Sequence, residues 1–179
     1  MGRGLGNGTL VPHPDFEPVS VRGIDVMLAC GGDGRWLIEY RVDGTDDLIT
    51  PEPAQARRTE ELWKHTCFEL FIRPEEGDGY YEFNFSPSGE WAAYRFKAYR
   101  AFMTDMPLIT PAIEWWGGEM RAAVDLSGLP DGDWCVGVTA VIEEAGGKRS
   151  FWSLAHPPGK PDFHHEACFA FEVPAAMRA

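Results

Sequence analysis

Apolar and polar residues alternate along this chain in short runs. In YYEFNF, residues 80–85, Tyr81, Phe83 and Phe85 fall on one side of an extended backbone, with Glu82 and Asn84 on the other. CFELFIR, 67–73, repeats the pattern with Phe68, Leu70 and Ile72 against Glu69 and Arg73. Similar runs predict strands over 19–24, 25–29, 36–42, 91–99, 120–125, 134–142, 150–154 and 168–173. The breaks between them, GGDG, DGTDD, PEEGDG, SPSG, SGLPDGD and EAGGK, have turn chemistry: Gly for positive φ, Pro and Asp for turn entry. Helical periodicity is weak. The segment 53–63 is the best helical candidate, and 102–116 reads as a loop broken by Pro107 and Pro111.

Many short strands at this turn spacing predict an all-β fold, an antiparallel β-sandwich. The chain of 179 residues suits one domain over 16–179, preceded by an irregular Gly- and Pro-rich segment over 1–15. A formal net charge of −12 argues against nucleic acid and anionic membrane surfaces as partners. No run of about 18 apolar residues is present, so no membrane-spanning helix is expected. The opening MGRGLGNGTLVPHP has no apolar segment of the signal-peptide kind, which points to a cytoplasmic protein. Cys30, Cys67, Cys135 and Cys168 form no CxxC pair and read as small packed thiols. No metal site or cofactor is expected.

Function turns on the polar side of three runs. Reading Ala92, Tyr94 and Phe96 of WAAYRFKAY as core leaves Trp91, Arg95 and Lys97 opposite. Short turns place the three runs side by side, so Glu69, Glu82, Asn84, Arg95 and Lys97 would share one sheet face. Such a face is either a solvated surface with cross-strand ion pairs or a bed of planar polar groups for a ligand. Trp63 precedes the first run, and Trp152 lies on a late strand. Rings beside carboxylate, amide and guanidinium groups suit a sugar, whose C–H faces stack while its hydroxyls are hydrogen-bonded.

The segments LWKHTCFELFI, YYEFNFSPSGEWAAYRFKAYR and FWSLAHPPGKPDFHHEACF resemble the bacterial DOMON-like domains, related in fold to the family 9 carbohydrate-binding modules. The resemblance runs from about residue 16 to residue 173. It implies a β-sandwich that binds a sugar or haem. In the sugar-binding modules two Trp rings clamp a terminal sugar, a Glu follows the first Trp by six residues, and an Arg comes from a nearby strand. Trp63 and Glu69 match that spacing; Arg95 and Trp152 are the corresponding Arg and second Trp that the resemblance implies. Glu82 and Asn84 join the site from the strand faces alone.

The expected function is thus non-catalytic binding of a mono- or oligosaccharide. Three readings compete. Haem would need a Met and a His among Met27, Met103, Met106, Met120, His156, His164 and His165. A glycosidase would use Glu69 and Glu82, but beside Arg95 and Lys97 both carboxylates are expected to be ionised and paired. A protein-interaction module would display Trp115 and Trp116. His164 reads as a surface residue and His165 as lying beside the core.

Overall fold

The computed structural model describes residues 3–178 and is all-β, with short 3-10 turns. Its strands are β1 (Arg3–Pro12), β2 (Gly23–Cys30), β3 (Trp36–Asp43), β4 (Leu48–Ile49), β5 (Cys67–Pro74), β6 (Tyr80–Phe85), β7 (Trp91–Phe96), β8 (Thr104–Asp105), β9 (Ala112–Trp116), β10 (Glu119–Val124), β11 (Trp134–Glu144), β12 (Lys148–Ser153) and β13 (Phe171–Val173). They form one curled antiparallel sheet, a half-barrel, in the order β8-β7-β6-β5-β11-β12-β1-β2-β3-β10-β9. The short β4 and β13 also pair with β11.

β1 joins the two halves of the curl. Residues 3–10 pair with β2, and Val11 and Pro12 pair with β12. The Gly-rich start therefore forms a strand, contrary to the irregular segment expected over 1–15. Its glycines are not turn signals. A Cβ at Gly8 would come within 3.0 Å of Leu154, so the missing side chain lets other parts of the fold approach. Leu5 and Leu10 anchor the strand in the core.

The two halves enclose the main core. Ile24, Val26, Leu28, Ile38 and Tyr40 come from one half; Phe68, Leu70, Ile72, Phe83, Phe85, Val136 and Val138 come from the other. The Tyr40 and Phe68 rings meet at 4.9 Å between centroids, and the Trp36 and Trp134 rings at 5.5 Å. Tyr40 donates its hydroxyl hydrogen to the Glu69 carbonyl at 2.6 Å, which ties the halves together.

Three local expectations change. The helical candidate 53–63 contributes only the start of a single 3-10 turn, Leu62–Lys64. The expected loop over 102–116 contains β8 and β9, because Pro107 and Pro111 lie between these strands. The strand expected over 19–24 does not form at its start. Val19, Ser20 and Val21 instead donate their backbone N–H groups to Glu144 at 2.7–3.0 Å.

A second apolar cluster lies on the other side of β5, β6 and β7. It contains Cys67, Phe71, Tyr80, Ala92, Tyr94 and Phe96, covered by Leu62, Phe163 and Phe169. All of β6 is buried as a result. The segment over 162–169 passes directly over β11, where a Cβ on Gly137 would sit 2.8 Å from the Cys168 carbonyl.

Candidate functional site

The register of β5, β6 and β7 sets the site. Glu69 pairs with Asn84, Phe71 with Glu82, and Glu82 with Tyr94. In an antiparallel sheet directly opposed residues share a face, so Glu69, Glu82 and Asn84 project together from the outer face with Phe71 and Tyr94. Thr139 of β11 lies opposite Glu69 and extends the row.

The same register separates the other expected members. Arg95 pairs with Tyr81, which belongs to the main-core side, so Arg95 leaves the sheet on the face opposite Glu82. It is exposed there. Both faces of β7 are lined with large apolar residues, so alternation alone cannot say which side is which. Pairing with β6 decides it, putting Trp91 and Ala93 in the main core and Tyr94 and Phe96 in the outer cluster. Trp152 is opposite Ala140 in the main core and is 1% exposed, with its indole N–H on the Ser150 hydroxyl at 2.8 Å. It cannot be a stacking wall on the outer face. Trp63 is 47% exposed in the Leu62–Lys64 turn, which lies against β5 and β6. The structure thus groups Glu69, Glu82 and Asn84, puts Trp63 at the edge of their face, and removes Arg95 and Trp152.

The grouped side chains are buried and short of donors. Glu69 accepts the Thr139 hydroxyl at 3.0 Å. Glu82 accepts one Asn84 amide N–H at 3.0 Å, and His164 Nε2 lies 3.7 Å away. The Asn84 carbonyl oxygen, fully buried, has no donor. No Lys or Arg among the described residues reaches either carboxylate within ion-pair distance. Burial, then mutual repulsion with Glu82, pushes the Glu69 carboxyl up to about 8. Burial raises Glu82 to about 7, against the opposing pull of Asn84 and Arg100. The expectation of an ionised, salt-bridged pair is therefore reversed.

His164 connects this row to a cleft. Its ring packs edge-on against Phe71, Tyr80 and Phe96. Tyr80 Oη lies 2.7 Å from His164 Nδ1 and accepts the Arg100 backbone N–H at 3.0 Å. Burial holds the imidazole neutral, down at about 4. The pattern is satisfied when Tyr80 donates to Nδ1 and Nε2–H faces Glu82. His164 is thus the inward-facing histidine of the pair, while His165 Nδ1 caps the Ala167 N–H. Beyond His164 the cleft, of about 400 Å³, is lined by Arg73, Asp78, Tyr80, Tyr99, His165, Glu166 and Phe169. Arg100 bonds Asp162 at 2.6 Å beside it, and Tyr99 also contacts Asp162.

Sequence reasoning missed Tyr80, Tyr94, Thr139 and His164. A signal existed for Tyr80, which shares the parity of Glu82 in β6. None existed for Thr139 or His164, which reach the face from distant parts of the chain.

The Met and His residues considered for haem are not brought together. Met106 and Met120 point into the main core, whereas His164 is on the other side of the sheet. Met27 and Met103 are exposed, His156 bonds the Val11 carbonyl, and among the described residues no methionine lines the charged cleft.

No family model matches the chain, and no curated protein matches it. Among solved structures, a "putative carbohydrate-binding protein" from Bacteroides uniformis is similar. The TM-score is 0.64 at 16% identity, over 94% of this chain and 84% of that one. At that identity the likeness is one of fold. It gives the curled all-β architecture a counterpart.

Proposed function

We propose that this protein is a non-catalytic saccharide-binding module of the DOMON-like class, its half-barrel corresponding to that class's β-sandwich. Its site is the cleft at the end of β5 and β6, backed by the Glu69–Glu82–Asn84 row. The observation that carries the reading is the cleft itself, of about 400 Å³, where the Tyr80, Tyr99 and Phe169 rings stand beside Arg73, Asp78 and Glu166. Rings beside carboxylate and guanidinium groups suit a ligand that offers hydroxyls and a stacking surface. The fold shared with the Bacteroides uniformis protein supports it. Trp63 lies by the opposite, Cys67 end of β5 and does not line this cleft.

Raised carboxyl pKa values are also what a general acid needs, which favours glycoside hydrolysis as a second reading. Access weighs against it: Glu69 and Glu82 lie beneath the Leu62–Lys64 turn and His164, where a glycosidic bond cannot lie between them. Calorimetric titration with a panel of mono- and disaccharides tests the proposal. Saturable heat without turnover of aryl glycosides is expected. Absence of heat across the panel overturns the binding reading; turnover overturns the non-catalytic one.

A further inference from the structure

We propose that the cleft takes an oligosaccharide, with one sugar ring on the face of Tyr99 and the next unit on Phe102. This rests on the saccharide reading and names the ligand class more narrowly. Three aromatic rings line the cleft, and two of them have no open face. Tyr80 is 3% exposed and stacks on Phe96, with 4.7 Å between centroids and 5° between ring planes. Phe169 is 7% exposed, with the Arg73 guanidinium over its ring at 5.4 Å. Tyr99 is 55% exposed. The stacking surface of this cleft is therefore the Tyr99 ring.

Exposed side chains ordinarily change rotamer freely, but this one is held. Its hydroxyl contacts Asp162, which leaves the ring rather than the hydroxyl for a ligand. Arg100, the next residue, bonds Asp162 through its guanidinium at 2.6 Å and gives its backbone N–H to Tyr80 Oη at 3.0 Å. The Ala101 N–H closes the turn on the Ala98 carbonyl at 3.0 Å. A ring fixed before the ligand arrives loses little freedom on binding. The turn also carries strain. Arg100 and Phe102 have φ of 50° and 56°, in the left-handed region that side chains with a Cβ disfavour. Packing does not account for the conformation of Phe102, which is 73% exposed. Strain of this kind gathers where ligands are held. Phe102 gives the turn a second bare ring, three residues past Tyr99. Two open rings on one turn suit consecutive units of a chain, whereas a single sugar uses one.

The test is a set of calorimetric titrations of glucose, cellobiose, cellotriose, maltose and maltotriose into the intact protein and two variants. Wild-type affinity is expected to rise about fivefold or more from glucose to the trisaccharide of at least one linkage. Tyr99→Ala is expected to weaken every sugar that binds by about fivefold or more. Phe102→Ala is expected to weaken the trisaccharide more than glucose, so that the gain with length is lost. Phe102 is exposed, so its variant keeps the test valid even if Tyr99→Ala disturbs the turn. Equal affinity for glucose and all the longer sugars overturns the proposal and leaves saccharide binding standing. A gain with length that survives Phe102→Ala does the same, as does wild-type affinity in Tyr99→Ala. No binding of any sugar overturns both.

Discussion

The half-barrel has two outer faces with charged side chains, and they are handled in opposite ways. On the face of β3 and β10 every acid has a guanidinium. Arg121 meets Glu39 at 3.0 Å and Glu119 at 3.5 Å, Arg41 meets Glu119 at 3.1 Å, and water reaches all four. Arg121 also lies over the exposed Trp116 ring at 4.7 Å. On the face of β5 and β6 two carboxyls are buried with no guanidinium in reach, and an amide oxygen goes unpaired. The first arrangement is a solvated ladder in which each pair stabilises little. The second carries a desolvation cost that a ladder avoids. The sheet pairs acids with arginines on one face and leaves them unpaired on the other, and the proposed site lies on that second face.

The largest expected effect tests which residues belong to which side. Trp152→Ala empties a fully buried site in the main core and should cost about 3–5 kcal/mol, read by chemical denaturation. Trp63→Ala should change stability by no more than about 0.5 kcal/mol, because that ring is half exposed. Near-equal losses would mean that the two tryptophans do not lie on different sides as described.

Next comes a buried acid that does have donors. Glu144 is as buried as Glu69, but it accepts three backbone N–H groups and the Ser20 hydroxyl. Burial would raise its pKa, and those donors outweigh burial and lower it. Glu144→Ala strands several buried donors and should cost about 2–4 kcal/mol, whereas Glu69→Gln should cost less than about 1 kcal/mol near neutral pH. A Glu69→Gln loss equal to that of Glu144→Ala would end the distinction between a satisfied and a donor-poor carboxyl.

These contrasts also show what could be read before the structure. The all-β class and the β5 and β6 faces follow from two-residue alternation, because pairing and burial there obey one period. In β2 the same rule places Ile24, Val26 and Leu28 inward and Asp25 and Met27 outward. It breaks in β7, where both faces are apolar and only the register with β6 tells them apart. It breaks again in β1, where glycines that signal turns elsewhere serve close packing. Glu69, Glu82 and Asn84 were legible as a group because they lie on neighbouring strands. Their burial was not, since it comes from the Leu62–Lys64 turn and the segment over 162–169. The partnership of Tyr80 with His164, 84 residues apart, leaves no local pattern at all.

The donor-poor face should make stability depend on pH. Glu69 ionises near its ordinary value of 4.5 in the unfolded chain and near 8 in the folded one. Between these values the folded state holds more protons than the unfolded state. The contribution of Glu69 to stability is therefore full below about 4.5 and falls as pH rises toward 8. Glu82, raised to about 7, acts in the same direction. The lowered carboxyls Glu144 and Asp162 act only below the ordinary carboxyl range. His164, held down at about 4, opposes the trend between that value and its ordinary 6.5, which leaves the interval above 6.5 to the two raised carboxyls. The midpoint of thermal unfolding should drop between pH 6 and pH 8, and Glu69→Gln should flatten that slope. A wild-type midpoint that rises across the window would mean the pair is ionised and compensated.

The smallest effect is expected on the paired face, and its smallness is informative. Arg121→Ala removes two exposed ion pairs and a cation–π contact. Each partner it leaves behind is reached by water, so no charge is stranded in a dry environment. The loss should be about 0.5–1 kcal/mol at low salt and smaller at high salt, as screening weakens what the arginine contributed. The slope of stability against pH from 6 to 8 should stay that of the wild type, since Glu39 and Glu119 remain in contact with water. A change in that slope as large as the one from Glu69→Gln would show that the ladder carries buried charge too. The outer face of β5 and β6 would then lose its claim to be the exceptional one.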